Sequence, residues 1–456
     1  MNPTRRCSAL MGQTCISSLE GGGIRVFGST AAGLPPAGTK CHYHRGKGGE
    51  LKKTGRQLKS LVESTTERVA VFPMGSNASR LSTLAQTLNS TPMDQTEQNV
   101  NPEEFVELDP DQLLRECEEA LQRRPARPHR DLVYPNGAAH FRHQLGPSIR
   151  VMQWNILAQA LGEGKDGFIR CPLEALNWKE RKYLILEEIL TYRPDIVCLQ
   201  EVDHYYDTFQ PIMASLGYHG TFLAKPWSPC LDVKQNNGPD GCALFYRLSR
   251  FSLQTSVHLR LSAMMLPTNQ VAIVQILNCR LTSRRLCVAV THLKARSGWE
   301  KLRSAQGSDL LHSLLNITSR SGGTQDLESS GADPLVVCGD FNAEPSEDVY
   351  RHFRSSPLGL DSAYKLLSSD GQTEPPYTTW KIRPTGESCS TLDYIWYTRN
   401  ALSVDCLLDI PTEEQIGPDR LPSFHYPSDH LSLLCDIRFR EGQCAPTSAE
   451  QPHLVR

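Results

Sequence analysis

The chain has 456 residues, with 48 Lys and Arg against 50 Asp and Glu and a formal net charge of −2. A hydrophobic share of 39% and a charged share of 21% fit a globular protein. The charge balance excludes a surface that is basic throughout, as a nonspecific nucleic-acid binder would need, and no apolar run approaches the ~18 residues of a membrane span.

Residues 1–60 hold ten Lys and Arg and two acids, Glu20 and Glu50, in a Gly-, Ser- and Thr-rich setting. Two readings stand side by side: a mitochondrial transit segment or a disordered basic tail. The glycine cluster 21–23 speaks against a clean amphipathic helix there. At Met74 the stretch MGSNAS matches the myristoylation pattern if translation starts there; in the full-length chain Gly75 is internal, and the match is then coincidental. A single acyl chain gives only marginal membrane attachment. Residues 1–73 are therefore expected to be a basic, targeting-like segment. Residues 74–147 are expected to be a linker, polar over 80–105, with one helix over about 110–123. In that helix Asp109 caps, Pro110 takes the first position and Pro125 stops it, while Leu113, Leu114, Cys117, Ala120 and Leu121 form one apolar stripe.

From 148 to 440 the texture changes to short apolar strands with interleaved helices. SIRVMQWNIL reads as a strand, NWKERKYLILEEILTYRP as a helix, and DIVCLQEV, CALFYR, QVAIVQIL, LCVAVTHL, LVVCGDFN, TLDYIWYT and HLSLLCDIRF as strands. Packed sheets flanked by helices follow from this order. Residues 318–334 read as a Gly/Ser-rich surface loop and 441–456 as a disordered tail. The 15 cysteines form no CxxC pair, and Cys198, Cys287, Cys338 and Cys435 lie inside apolar runs, the usage of reduced intracellular thiols. The sequons at Asn77 and Asn316 are then chance matches.

The apolar strands carry polar residues at or near their ends: Asn155, Glu201, His292, Asp340 with Asn342, Asp393, and Asp429 with His430. Singly, each has a bland explanation as a turn residue, a solvated acid or a satisfied histidine. Together they do not, because every one follows a strand that should enter a common core, and loops at the ends of core strands are where catalytic groups gather.

QWNIL, LQEVD, THLKA, GDFNAEP, LDYIW and SDHLSL occur in the order and at roughly the spacing of the exonuclease–endonuclease–phosphatase superfamily, which the chain resembles from Ser148 to Phe439. WNILAQALGEGKD, NNGPDGCALF, THLKARSGWE and EPPYTTWKIR make it similar to the deadenylase-related branch. The resemblance implies a two-sheet α/β sandwich with helices outside and the site at one end. Carboxylate and amide oxygens suit Mg²⁺, and Glu201, Asn155 and Asp429 are its expected ligands. Asp340 is expected to orient or deprotonate the attacking water and Asn342 to hold it. His430 and His292 are expected to donate to the phosphate, with Asp393 orienting His430.

Two activities compete: a phosphatase for the 2′-phosphate of NADP(H), and a 3′-to-5′ poly(A) exonuclease. Lys225, Lys294, Arg296 and Arg383, which match the branch's pattern beside the catalytic motifs, favour a compact phosphorylated substrate. The leucine-rich repeats of deadenylases that work in large complexes are not visible. A regulatory binding role toward RNA or mRNA-decay proteins through residues 60–147 is the reading of a different class. The resemblance also implies circadian association, and the catalytic domain is expected to be a monomer. A fusion of residues 1–73 to a fluorescent reporter is expected to reach mitochondria, while a chain starting at Met74 stays cytosolic or loosely membrane-bound; a diffuse reporter would reduce the segment to a tail.

Overall fold

The computed structural model describes residues 108–135, 147–320 and 332–440. The targeting-like segment, the Met74 motif and the C-terminal tail lie outside them. No described helix is long and apolar enough to cross a membrane.

The strands are β1 (Leu132–Val133), β2 (Ile149–Asn155), β3 (Ile196–Val202), β4 (Tyr218–Ala224), β5 (Gly241–Arg247), β6 (Phe251–Ala263), β7 (Leu266–Cys279), β8 (Arg285–His292), β9 (Leu335–Asp340), β10 (Leu360–Ser362), β11 (Thr379–Arg383), β12 (Gly386–Ser390), β13 (Asp393–Thr398), β14 (Leu402–Leu408) and β15 (Leu433–Phe439). One sheet runs β1-β14-β15-β2-β3-β5-β4 and a second runs β10-β13-β9-β8-β7-β6, while β11 and β12 form a hairpin apart from both. The principal helices are α1 (Pro110–Ala120), α2 (Trp178–Tyr192), α3 (Glu300–Arg320) and α4 (Asp348–Arg354). This is the two-sheet sandwich with outer helices that the sequence leads one to expect.

Both faces of the central strands are covered, so they read as continuous apolar runs rather than as alternation. Val151, Cys198, Leu244, Ile273, Val288, Cys338 and Ile395 form the layer between the sheets. The opposite pleat row, with Met152, Trp154, Val197 and Leu199, packs on Ile185 and Ile189 of α2. On the other side Val274, Ala289, Val337 and Trp396 pack on Leu310 and Leu314 of α3. Burying a Leu or Ile side chain in this way stabilises by about 1.5–3 kcal/mol.

The folded unit begins before residue 148. Asp109 caps α1 by accepting from the amide of Asp111, and Leu113 and Cys117 of α1 join the α2 core. Leu132 and Val133 pair with Leu408 and Leu407 of β14. Arg130 is buried and donates to Ser432 Oγ (2.8 Å) and to the carbonyls of Ser432 (2.8 Å) and Asp409 (2.7 Å). A polar linker composition hid this, because a two-residue edge strand and one buried arginine leave no periodic pattern.

A second buried arginine sets the position of the site loops. Arg181 of α2 is fully buried and donates through Nε to the Pro427 carbonyl (2.6 Å) and through Nη2 to the Ile156 carbonyl (2.6 Å) and the Leu157 carbonyl. It ties the chain leaving β2 to the chain entering β15. Arg181→Met is expected to strand these carbonyls and destabilise the fold by about 2–4 kcal/mol, read from urea unfolding; a change below about 0.5 kcal/mol would show the loops to be held by other contacts.

Candidate active site

The site is the polar end of the layer between the sheets. Along β2 the residues facing that layer run Ile149, Val151, Gln153, Asn155; along β8, Val288, Val290, His292; along β9, Val336, Cys338, Asp340. A period of two keeps each of these sets on one face. Parallel pairing of β8 with β9 places His292 opposite Asp340, and antiparallel pairing of β13 with β9 places Asp393 opposite the same residue. Here the structure corrects a detail of the sequence reading. Asp393 opens β13 instead of ending it, and Asp429 and His430 precede β15. These strands run antiparallel to their neighbours, so their beginnings share an edge with the other strands' ends. Gly339 lets β9 approach β8, since a Cβ there would lie 2.6 Å from the Thr291 carbonyl oxygen.

Glu201 reaches the site by a different route. The inward row of β3 is Ile196, Cys198, Gln200, which would turn Glu201 away. The β3–β5 register shifts between Leu199 and Val202, and Glu201 takes φ +56°. The bulge re-aims the side chain. Asn342, just past Asp340, also has a positive φ of 50°. Each such non-glycine conformation costs about 1–3 kcal/mol and is typical of functional sites.

Asn155 joins the two carboxylates. Its Nδ2 donates to Glu201 Oε1 (3.1 Å) and Asp340 Oδ2 (3.0 Å), while its Oδ1 accepts from the Leu157 amide (3.1 Å). The Ala158 amide donates to Glu201 Oε2 at 3.2 Å. Asp340 Oδ1 accepts from the Asn342 amide (2.9 Å), and Asn342 Nδ2 donates to the Leu293 carbonyl (3.2 Å). Both imidazoles converge on Asp340 Oδ2, His292 Nε2 at 3.5 Å and His430 Nε2 at 3.8 Å. Behind His430, Nδ1 lies 2.8 Å from Asp393 Oδ2, which also accepts from Thr378 Oγ1 at 2.7 Å.

The two histidines are held in opposite states. Burial, then the neighbouring Lys225 and His430 charges, push His292 well below its ordinary range. Lys225 Nζ sits 3.3 Å from its Nδ1, which leaves the ring proton on Nε2, facing Asp340. Burial also opposes charge on His430, but Asp393, with help from Asp340 and Asp429, raises it to about 9. Asp340 is raised, chiefly by burial, against the opposing pull of His430.

The expected cations arrive with partners. Lys225 Nζ is 2.6 Å from Asp240 Oδ2, and Arg383 Nη2 is 2.8 Å from Asp166 Oδ2 and 3.4 Å from Asp429 Oδ2. Lys294 is half-buried with Nζ 5.5 Å from the Trp299 ring, and Arg296 is exposed. Lys381, which lies in EPPYTTWKIR but is not among the residues expected in the site, is buried with Nζ 2.5 Å from Asp429 Oδ2. Asp166, the last residue of WNILAQALGEGKD, is likewise not among them. Only an alternation of charge, Lys381–Asp429–Arg383–Asp166, would have marked them, and it exists in space alone.

For a metal, the donor set is hard oxygen. Burial and the nearby carboxylates of Asp166 and Asp429 push Glu201 up to about 7, the signature of a carboxylate cluster that gains from a cation. Of the residues expected to hold Mg²⁺, Asp429 is instead paired with Lys381 and Arg383, and Asn155 has its oxygen on a backbone amide. Asp340, Asp393 and His430 also bring ligand atoms within 4.8 Å of one another, a set capable of holding a divalent ion.

The family model of the Endonuclease/Exonuclease/phosphatase family matches residues 152–430. Nocturnin of Rattus norvegicus is 62% identical over 376 residues, covering 81% of this chain and 85% of the relative. The chain belongs to the endonuclease/exonuclease/phosphatase family, in its nocturnin branch. The human nocturnin catalytic domain with bound sulfate superposes with a TM-score of 0.57 at 58% identity, over 70% of this chain and 99% of that one. ANGEL2, a 2′,3′-cyclic phosphatase, in complex with adenosine-2′,3′-vanadate gives a TM-score of 0.56 at 26% identity, over 68% and 99% of the two chains. As a member of this family with the site above, the chain is a metal-dependent phosphoester hydrolase.

Protonation of Glu201 competes with a cation, so affinity for a divalent ion is expected to be constant above pH about 7 and to fall about tenfold per pH unit below it. Titration calorimetry with Mn²⁺ at pH 6 and pH 8 checks this. Equal affinities, or undiminished binding by Glu201→Gln, would place the ion elsewhere.

Proposed function

We propose that the chain is a Mg²⁺-dependent phosphatase that removes the 2′-phosphate of NADP⁺ and NADPH, giving NAD⁺ or NADH and inorganic phosphate. The observation that carries this reading is the compactness of the charged site. Lys225 and Arg383 touch the groups surrounding Asp340 and Asp429, and Lys294 follows His292 by two residues. That arrangement suits several phosphates of one small molecule. A polynucleotide tracker needs an extended basic groove, which a net charge of −2 does not favour. Support also comes from ANGEL2, whose complex carries a phosphate-like vanadate on the ribose 2′ and 3′ oxygens of adenosine.

Mg²⁺ held by Glu201 would polarise a phosphoryl oxygen and neutralise charge on the leaving ribose oxygen. The chain's own groups do the rest. Asp340, raised by burial, accepts the proton of the attacking water. Asn342 and neutral His292 hold that water and the phosphate in line. His430, charged at neutral pH and fixed by Asp393, donates from Nε2 to a phosphoryl oxygen. Lys225, Lys294, Arg296 and Arg383 bind the remaining phosphates. The ester bond from the 2′-oxygen to phosphorus breaks, water supplies the new oxygen, and the pyrophosphate is untouched.

Phosphate release from NADPH and AMP release from oligo(A) are to be compared at equal enzyme concentration with Mg²⁺. Arg383→Ala and Lys294→Ala are each expected to lower kcat/KM for NADPH by roughly tenfold to more than a hundredfold, about 1.5–3 kcal/mol, with metal affinity unchanged. Rapid AMP release without phosphate release from NADPH would replace this reading with the exonuclease.

A further inference from the structure

The turn joining β6 to β7 is a two-residue hairpin loop, Met264–Met265, closed by the pair Ala263 and Leu266. Both loop residues take a positive φ, 48° and 62°, as a type I′ turn requires and as Asn-Gly supplies most readily. Methionine brings to that conformation a Cβ and a long side chain, which L-residues accommodate poorly. Packing does not offset this: Met264 is 86% exposed, Met265 96% and Leu266 67%, and Pro267 beside them is exposed too. A residue choice that opposes its own backbone and packs on nothing in its own chain points to a contact outside the chain.

The hairpin stands at the end of the sandwich that carries the candidate site. Ala272 of β7 pairs with Thr291 of β8, so the residues before Ala272 run on past His292. α3 flanks the base of the hairpin: Gln306 Nε2 donates to Thr268 Oγ1 (3.1 Å) and Gln270 Oε1 (2.6 Å), and Asp309 Oδ2 accepts from the Ser262 amide (2.8 Å). Trp299, just before α3, is 47% exposed, and Lys301 and Arg260 are exposed, Arg260 with its Nε on the Thr268 carbonyl (2.7 Å). The acids nearby are engaged by backbone, Asp309 as above and Glu300 by the Gly298 amide (2.8 Å). We propose that this tip docks on an anionic lipid bilayer: Met264, Met265 and Leu266 enter the acyl boundary, Trp299 lies at headgroup level, and Arg260 and Lys301 face the lipid phosphates. A convex tip of four residues cannot cover the roughly 1,000 Å² that a specific protein interface needs, whereas a bilayer demands no complementary shape. Methionine, unbranched and adaptable, suits such a surface. An apolar tip, an exposed tryptophan and a basic collar are the three elements of interfacial binding.

The inference is independent of the substrate assignment, and its test needs no turnover. The full-length chain and its variants Met264→Asn/Met265→Gly, Leu266→Gln and Lys301→Gln are co-sedimented with vesicles of phosphatidylcholine containing about 30 mol% phosphatidylserine. Each is also followed by thermal unfolding and by sedimentation velocity without lipid. The basic segment 1–73 is present in all four, so differences between them report on the tip. Met264→Asn/Met265→Gly is expected to lower partition onto the vesicles at least about tenfold while Tm stays equal or rises, because Asn-Gly is the pair this turn prefers. Leu266→Gln, which leaves the turn as it is, should lower partition about three- to tenfold, and Lys301→Gln about three- to fivefold. Absence of binding by the wild type, or partition within about twofold of wild type for any of the three variants, overturns the proposal. A lower Tm or a failure to fold of Met264→Asn/Met265→Gly would show that the methionines pack within the fold, and a drop in sedimenting mass would show that they join two copies of the chain; either overturns it as well.

Discussion

A carboxylate, Asp340, buried between two sheets with two imidazoles turned toward it is the constraint on which the rest of this structure depends. Removing the charge of Asp340 from water costs several kcal/mol unless hydrogen bonds replace the solvent. The fold supplies them from elements far apart in sequence: Asn155 at the end of β2, the Asn342 amide in the next turn, and the two imidazoles nearby. Each supplier is in turn fixed by register. β8, β9 and β13 set His292, Asp340 and Asp393 in one row, and Gly339 permits the close approach of strands that the row needs. A slip of one residue in any of these pairings would send its polar group to the opposite face and leave the carboxylate stranded.

The same low-dielectric setting separates two histidines of identical chemistry. His292 sits beside an ammonium and is kept neutral; His430 sits on a carboxylate and is kept charged. A neutral ring and a cationic ring facing one carboxylate give the site distinct proton states at one pH, which is what acid–base assistance to phosphate hydrolysis requires. The surrounding cations do not raise the net charge greatly, since Lys225, Lys381 and Arg383 each have an aspartate of their own. The site is thereby polar and structured without being a basic sink.

Buried arginines at the other side of the site's loops serve the same precision. Arg181 is held through backbone carbonyls alone in its described hydrogen bonds, so it fixes the course of the chain without dictating side-chain identity. Trp154 Nε1 and Ser428 Oγ complete the tie between β2 and the turn before β15, donating to the His430 and Asn155 carbonyls at 2.7 and 2.6 Å. Strain at Glu201 and Asn342 is sustained because these ties leave the backbone little alternative.

The sequence by itself determined the layer architecture and most of the polar residues gathered at one end of it. Continuous apolar runs mark strands covered on both faces, and Asn155, Glu201, His292, Asp340, Asp393 and His430 stand out because each interrupts or bounds such a run. The family motifs added their order. It did not determine the N-terminal limit of the fold, where Arg130 and Leu132–Val133 join the sheet without any periodic signal. Nor did it mark Lys381 and Asp166, or show that Asp429 is an ion-pair partner. Tertiary structure decided these because a charge is defined by its neighbours. Lys381 and Asp429 are 48 residues apart in the chain, and the energy of a buried pair comes from its separation and its desolvation. Neither quantity is written in the local pattern of residues.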